Sequence, residues 1–314
     1  MNTSLGIHHI TAITGNPQKN LDFYEGFLGQ KLVKRTVNFD DPRSYHFYFA
    51  DATGSPGTLL TFFYFGNIPA GFRGVGEVGR IAYTISPASQ QFWMERALEW
   101  NIATKVSINV FKESVLSLQD PDGMQIDLVS GIVSGKVDAW KDGPVPLVHA
   151  LQGFRSASLT VTSVEEIEPT LVTLGFARIL QSGQHVRFST SGTLATILDC
   201  IELPDAPRAR QGLGSVHHIA FRAESDEVEL LIRQKIENAG LQPTNVIDRK
   251  YFHSVYFQTP SNILFEIATD SPGMTVDESL DSLGEKLVLP DQFEERRTEI
   301  ERNLVPITLP RHQP

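Results

Sequence analysis

The feature that most constrains this chain is repetition, because four stretches share one order: a strand, an amphipathic helix closed by Gly or Asn, then further strands. The first reads GIHHITAIT, the helical PQKNLDFYEGFLGQKL, then VKRTVNF, SYHFYFA and TLLTFFYF. Leu21, Tyr24 and Leu28 share an apolar helix face, and Gly29 supplies the stop. The second opens with VGRIAYTIS, continues with SQQFWMERALEWN and ends SVLSLQDPDGMQIDLVS, where DPDG is a turn before an alternating strand. A linker, GKVDAWKDGPVP, leads to the third: FRSASLTVT, the helix VEEIEPTLVTLG, HVRFST and LATILDCIE. Pro169 is expected to break that helix early. After PDAPRARQGLG comes the fourth, with VHHIAFRA, a helix SDEVELLIRQKIENAG stopped by Gly240, and the hairpin DRKYFHSVYFQTPSNILFEIAT. Beyond Asp270 the pattern ends, and DQFEERRTEIERNL reads as one exposed helix before a Pro-rich tail.

Such repeats predict an α+β chain with two modules in residues 5–131, two in 148–270, and a tail over 271–314 that carries one helix. A net charge of −10 argues against nucleic acid or membrane as a partner, since both need a basic face. The single cysteine, Cys200, excludes an internal disulfide framework and suits a reducing compartment. No cationic and apolar leader opens the chain, and no run approaches the ~20 apolar residues of a membrane helix, so a cytoplasmic location is expected.

Polar residues inside strands point to chemistry. Glu266 stands among Ile263, Leu264, Phe265 and Ile267, where an ionised carboxylate needs a compensating charge. A cation shared with histidine supplies one, and the histidine pairs His8-His9 and His217-His218 recur at the starts of the first and fourth units. One such pair alone would mean little. Glu266 paired with Arg249 as a core ion pair is the plainer alternative.

Four βαβββ units with metal ligands on first and last strands resemble the vicinal oxygen chelate superfamily, which includes glyoxalases, fosfomycin-resistance proteins and extradiol ring-cleaving dioxygenases. HHITAITGN, VHHIAFRAES and DRKYFHSVYF followed by ILFEIA are similar to its hydroquinone-cleaving branch. The resemblance implies two vicinal-oxygen-chelate domains with cup-shaped mixed sheets. It also implies Fe(II) or Mn(II) bound by the second His of each pair and the late Glu, that is His9, His218 and Glu266.

The repeat offers an independent test. Aligning first strands places His9, Arg80, Ser156 and His218 together, and aligning last strands places Phe62, Asp127, Ile197 and Glu266 together. Only pairing the first unit with the fourth gathers two histidines and a carboxylate, a set that leaves open positions for substrate and oxygen. The middle units would then hold an Arg80–Asp127 charge pair.

The last hairpin resembles the extradiol signature, with Tyr256 ten positions before Glu266 and Pro260 in the turn. Arg249 stands where catechol-cleaving relatives carry an acid/base His, and in this it resembles the hydroquinone branch, where an Arg is found at that place. Arginine stays cationic, so it would anchor a bound oxyanion. Tyr256 would donate to the substrate oxygen, and His8, Thr11 and His217 would support the site, although strand alternation turns His8 and His217 away from it. His253 fits neither signature nor ligand position, and His46, His149, His185 and His312 belong to no constellation. The reading is an oxidoreductase that opens small aromatic diols with dioxygen, in aromatic catabolism or detoxification, with assembly as a homo-oligomer left open. Two others stand beside it: a glyoxalase-type lyase or isomerase using Zn or Ni, for which Phe62 removes the fourth ligand, and a binding protein for aromatic compounds.

Overall fold

A computed structural model describes residues 3–39 and 41–310. The first module comprises β1 (Ile7–Thr14), α1 (Pro17–Leu21) prolonged by a π-helical stretch over Asp22–Phe27, β2 (Lys31–Val37), β3 (Tyr45–Ala50) and β4 (Leu59–Tyr64). The second comprises β5 (Glu77–Ile85), α2 (Gln90–Glu99), β6 (Lys105–Ile108), β7 (Ser114–Gln119) and β8 (Gln125–Ser130). The third has β9 (Phe154–Val161), α3 (Val164–Thr173), β10 (Ala177–Ser182), β11 (His185–Ser189) and β12 (Ile197–Glu202). The fourth has β13 (Val216–Ala223), α4 (Asp226–Asn238), β14 (Ile247–Asp248), β15 (Phe252–Gln258) and β16 (Leu264–Pro272).

Side chains of Asn16, Ser163 and Ser225 cap α1, α3 and α4 by accepting from backbone N–H groups that have no partner within the helix. Gly29 and Gly240, at φ +69° and +83°, end the first and fourth helical segments in the left-handed region that side chains disfavour. Pro169 does not break α3, which runs through it to Thr173. Proline removes one hydrogen bond there, while the buried Val164, Ile167 and Leu171 keep the helix on the core.

Among the described residues the strands form two eight-stranded sheets, in the orders β14-β15-β16-β13-β1-β4-β3-β2 and β10-β11-β12-β9-β5-β8-β7-β6. The first module therefore joins the fourth through the antiparallel pair β1/β13, and the second joins the third through β5/β9. One apolar core links both sheets and the four module helices, with Leu21, Trp93, Ile167 and Ile232 among its members. The tail helix α5 (Arg297–Asn303) is not the exposed rod that its charges suggest, because Ile300 and Leu304 are buried in that same core. Upstream of it, the buried Lys34 ammonium bonds Asp277 at 2.6 Å and Glu278 at 2.5 Å, tying the tail to the first sheet. His312 lies outside the described residues. No described helix is long and apolar enough to cross a membrane.

Candidate metal centre and substrate cavity

His9, His218 and Glu266 come from three adjacent strands, since β13 pairs with β1 on one side and with β16 on the other. Glu266 Oε2 lies 3.2 Å from His9 Nε2 and 2.9 Å from His218 Nε2, and the two Nε2 atoms are 3.4 Å apart. Ligands at right angles about 2.1 Å from a shared ion stand roughly 3.0 Å from one another, so the spacing fits one face of a coordination sphere. Although both imidazoles are near, Glu266 Oε2 is a buried oxygen with no hydrogen bond of acceptable geometry. Such an orphaned acceptor is costly unless a cation meets it. Burial alone would raise the Glu266 carboxyl; positive charge at this spot, carried by His9 and then His218 when they are protonated, outweighs it and holds the group well below the usual range. The residues present fit a divalent metal.

Each member of this set is braced by a neighbour. His9 Nδ1 lies 3.0 Å from His8 Nδ1, His218 Nδ1 lies 2.8 Å from His217 Nδ1, and Ser254 Oγ donates to Glu266 Oε1. An inner imidazole that offers its Nε2 lone pair to a metal carries its proton on Nδ1, and the outer imidazole must then accept it. The outer rings are suited to this: burial and then the adjacent His9 hold His8 well below the ordinary histidine value, and burial and then His218 push His217 down to about 4. Strand alternation would have turned these outer rings away. The register of β1 against β13 instead slips at His8 and again at His217, so each sits in a β-bulge that re-aims it toward its neighbour.

The strand register also corrects the alignment of last strands. Glu266 faces Ala220 across the parallel pair, and the matching partners elsewhere are Thr61 opposite Thr11, Asp127 opposite Ala82 and Asp199 opposite Ser158. Phe62 points to the other side and packs on Tyr24 with ring centroids 4.6 Å apart. The fourth position of the cup is thus held by Thr61.

A cavity of about 280 Å³ opens beside the three residues, lined among others by Thr11, His217, Arg249 and Tyr256. Tyr256 stands directly across from Glu266 in β15, and the Arg249 guanidinium lies 5.2 Å from the centre of its ring. His8 does not line the cavity; it lies behind His9 against Phe252. His253 is turned outward, where it pairs with Asp226 at 2.7 Å. Two side chains that no motif of the sequence marks stand beside the site, Ser254 and His46. His46 lines the cavity and contacts Thr61 Oγ1 at 3.0 Å. Because Tyr48 pairs with Thr61 in the register of β3 and β4, His46, two residues away, falls on the cup face, a parity readable once Thr61 is known to be there.

The sheet of the middle modules repeats this frame with other side chains. Arg80 bonds both Asp127 oxygens at 2.7 and 2.8 Å, and Ser117 bonds the same carboxylate at 2.6 Å. Arg187 bonds both Asp199 oxygens at 2.6 and 2.9 Å and reaches Glu113 at 2.8 Å, which Arg155 also holds. Within this cup the arginines supply the positive charge.

Residues 6–128 match the family model described as "Glyoxalase/Bleomycin resistance protein/Dioxygenase superfamily". A Bacillus subtilis protein named "Putative ring-cleaving dioxygenase MhqO" is 40% identical over 304 residues, 96% of each chain. The chain belongs to this superfamily. Its similarity to the chlorohydroquinone/hydroquinone 1,2-dioxygenase of Sphingobium indicum is 32% identity over 309 residues, 95% of each chain. A crystal structure from Bacillus subtilis, 40% identical and covering 98% of both chains, superposes with a TM-score of 0.94. With relatives named as ring-cleaving or hydroquinone dioxygenases matched over 95% or more of their own length, this member of the superfamily is a ring-cleaving dioxygenase, an oxidoreductase.

Proposed function

We propose that this dioxygenase opens the ring of hydroquinone-type para-diols at a divalent iron held by His9, His218 and Glu266. The orphaned Glu266 oxygen, facing two imidazole nitrogens at ligand spacing, is the observation that carries the assignment. Iron there, or manganese in its place, would supply the redox centre at which an electron-rich ring and dioxygen react. The phenylalanines of the cavity, Phe39, Phe63, Phe65 and Phe252, offer apolar walls to an aromatic ring and exclude water around it. Tyr256 stays protonated, because burial and then the charge of Glu266 push its phenol up, and it donates a hydrogen bond to the substrate oxygen nearest Glu266. Arg249 is a fixed cation beside it that stabilises negative charge on the ring oxygens and can accept no proton. Catechol cleavage calls for a group that takes the second hydroxyl proton and later returns one. A para-diol avoids the demand, since its two hydroxyls stand too far apart to chelate one ion. The sequence and name of the Sphingobium relative support the same substrate class.

The test is anaerobic loading with Fe(II), metal analysis, and oxygen uptake over a panel of diols. One metal per chain is expected, with hydroquinones turned over faster than catechols. Arg249→Ala should cost about 2–4 kcal/mol of transition-state stabilisation on hydroquinones. Faster cleavage of catechol than of every para-diol tried would sink the substrate assignment.

A further inference from the structure

His46 has no part in holding the metal and no place in the motifs of the chain, yet it is a buried polar side chain that lines the cavity. It is 7% exposed, its ring lies 4.2 Å from the centre of Tyr48 and 4.4 Å from that of Phe63, and all three line the cavity. Its Nε2 is engaged by Thr61 Oγ1, which in turn contacts Thr11 Oγ1 at 2.8 Å. Among the described residues no hydrogen bond engages Nδ1, and that atom is not among the sealed polar atoms without a partner. A ring held by two aromatic neighbours, with one nitrogen occupied and the other without a hydrogen bond beside a ligand cavity, is built to present that nitrogen to something bound there.

Its place in the sheet says which end of a ligand it would meet. The strands that carry Glu266, His218 and His9 are β16, β13 and β1, in the middle of the sheet. Tyr256 is on β15, next to Glu266, and Arg249 precedes that strand on the same flank. His46 is on the opposite flank, in β3, two strands beyond β1. At about 4.8 Å between neighbouring strands, its backbone lies roughly 10 Å from that of the His9 strand along the sheet. With Tyr256 and Arg249 at the flank next to Glu266, a ring anchored by one oxygen among Glu266, His9 and His218 that extends away from them would place its far side on the flank of His46. Burial above all holds this imidazole well below the ordinary histidine value, so the neutral ring can donate or accept.

We infer that His46 is the residue that recognises the second hydroxyl of the para-diol, by a hydrogen bond through Nδ1, while Thr61 and Thr11 fix the orientation of its ring. This deepens the proposed function and rests on it. It assigns to His46 a selection for the second oxygen, a task distinct from the reaction at the first.

The discriminating experiment is anaerobic equilibrium binding to the metal-loaded full chain of two rings that differ only at the far position, hydroquinone and 4-methylphenol. The wild type should favour hydroquinone. His46→Phe, which keeps a flat ring between Tyr48 and Phe63, should lose about 5–10-fold of that preference, the size of one hydrogen bond. His46→Asn, whose amide reaches the place of Nδ1 but not that of Nε2, should restore a good part of it. A merely structural role would weaken both ligands by one factor, and that result, or an unchanged preference in His46→Phe, overturns the assignment. Binding of neither ring by the wild type would instead overturn the para-diol reading itself, and the role of His46 with it.

Discussion

The two cups of this molecule share a strand order and a register, and they differ in where the positive charge comes from. In the sheet of the first and fourth modules, Glu266 is buried with an oxygen that no protein group satisfies, and the groups facing it are imidazoles that can be neutral. In the sheet of the middle modules, Asp127 and Asp199 at the matching positions are each gripped through both oxygens by an arginine. The bulges are matched as well: the β5/β9 register slips at Gly79 and Arg155, as β1/β13 slips at His8 and His217. A common backbone thus yields a site whose side chains fit an external cation and one that carries its own. The lesson is that the fold supplies a frame for a ligand set, while charge balance inside the frame decides whether a metal is wanted.

The comparison breaks most visibly at its carboxylates. Glu266→Ala should strip the protein of its metal and abolish turnover, whereas Asp127→Ala should leave metal content and turnover per folded molecule unchanged. Metal analysis beside oxygen uptake decides it, and a Glu266→Ala protein with normal metal and activity would end the assignment of the live cup. A smaller effect, with the opposite character, is expected from Arg187→Ala. Its side chain is 4% exposed and serves both Asp199 and Glu113, so its removal leaves the buried Asp199 without its cation and Glu113 with Arg155 and Asn109 only. A stability loss of about 3–5 kcal/mol follows, read by denaturant unfolding, with the metal retained.

The mildest test uses pH. Burial would raise the Glu113 carboxyl, but Arg187 and then Asn109 and Arg155 hold it down at about 2. A depressed folded value means that this stability is fully present above the unfolded carboxylate value and is lost as pH falls from there through about 2. Glu113→Gln should accordingly flatten the acid limb of the stability curve between those limits, by an amount on the order of 2 kcal/mol. An unchanged limb would show that the middle cup does not contribute to acid stability as its ion pairs imply.

Much of this was legible in the chain itself. The repeat of strand, helix and strands announced the modules, and the requirement that two histidines and one carboxylate meet selected the pairing of the first module with the fourth, which the β1/β13 ladder bears out. Those inferences rest on local periodicity and on the chemistry of residue types, which a sequence carries in full. What the chain did not disclose depends on relations between strands that no local pattern encodes. A last strand set by repeat alignment was displaced by one residue in the first module, which put Phe62 where Thr61 stands, because a shift of one in a strand exchanges its two faces. The same blindness hid His46, whose parity acquires meaning only beside Thr61. The roles of His8 and His217 were obscured by bulges that suspend alternation at those two residues. The charges of the tail helix mark an exposed face, while the burial of Ile300 and Leu304 on its other side follows from where the segment docks. The sequence by itself determined which residues could form a metal site and which modules had to meet; the tertiary structure decided which side chains brace that site and which face the ring, because register, bulges and docking are properties of strands in contact.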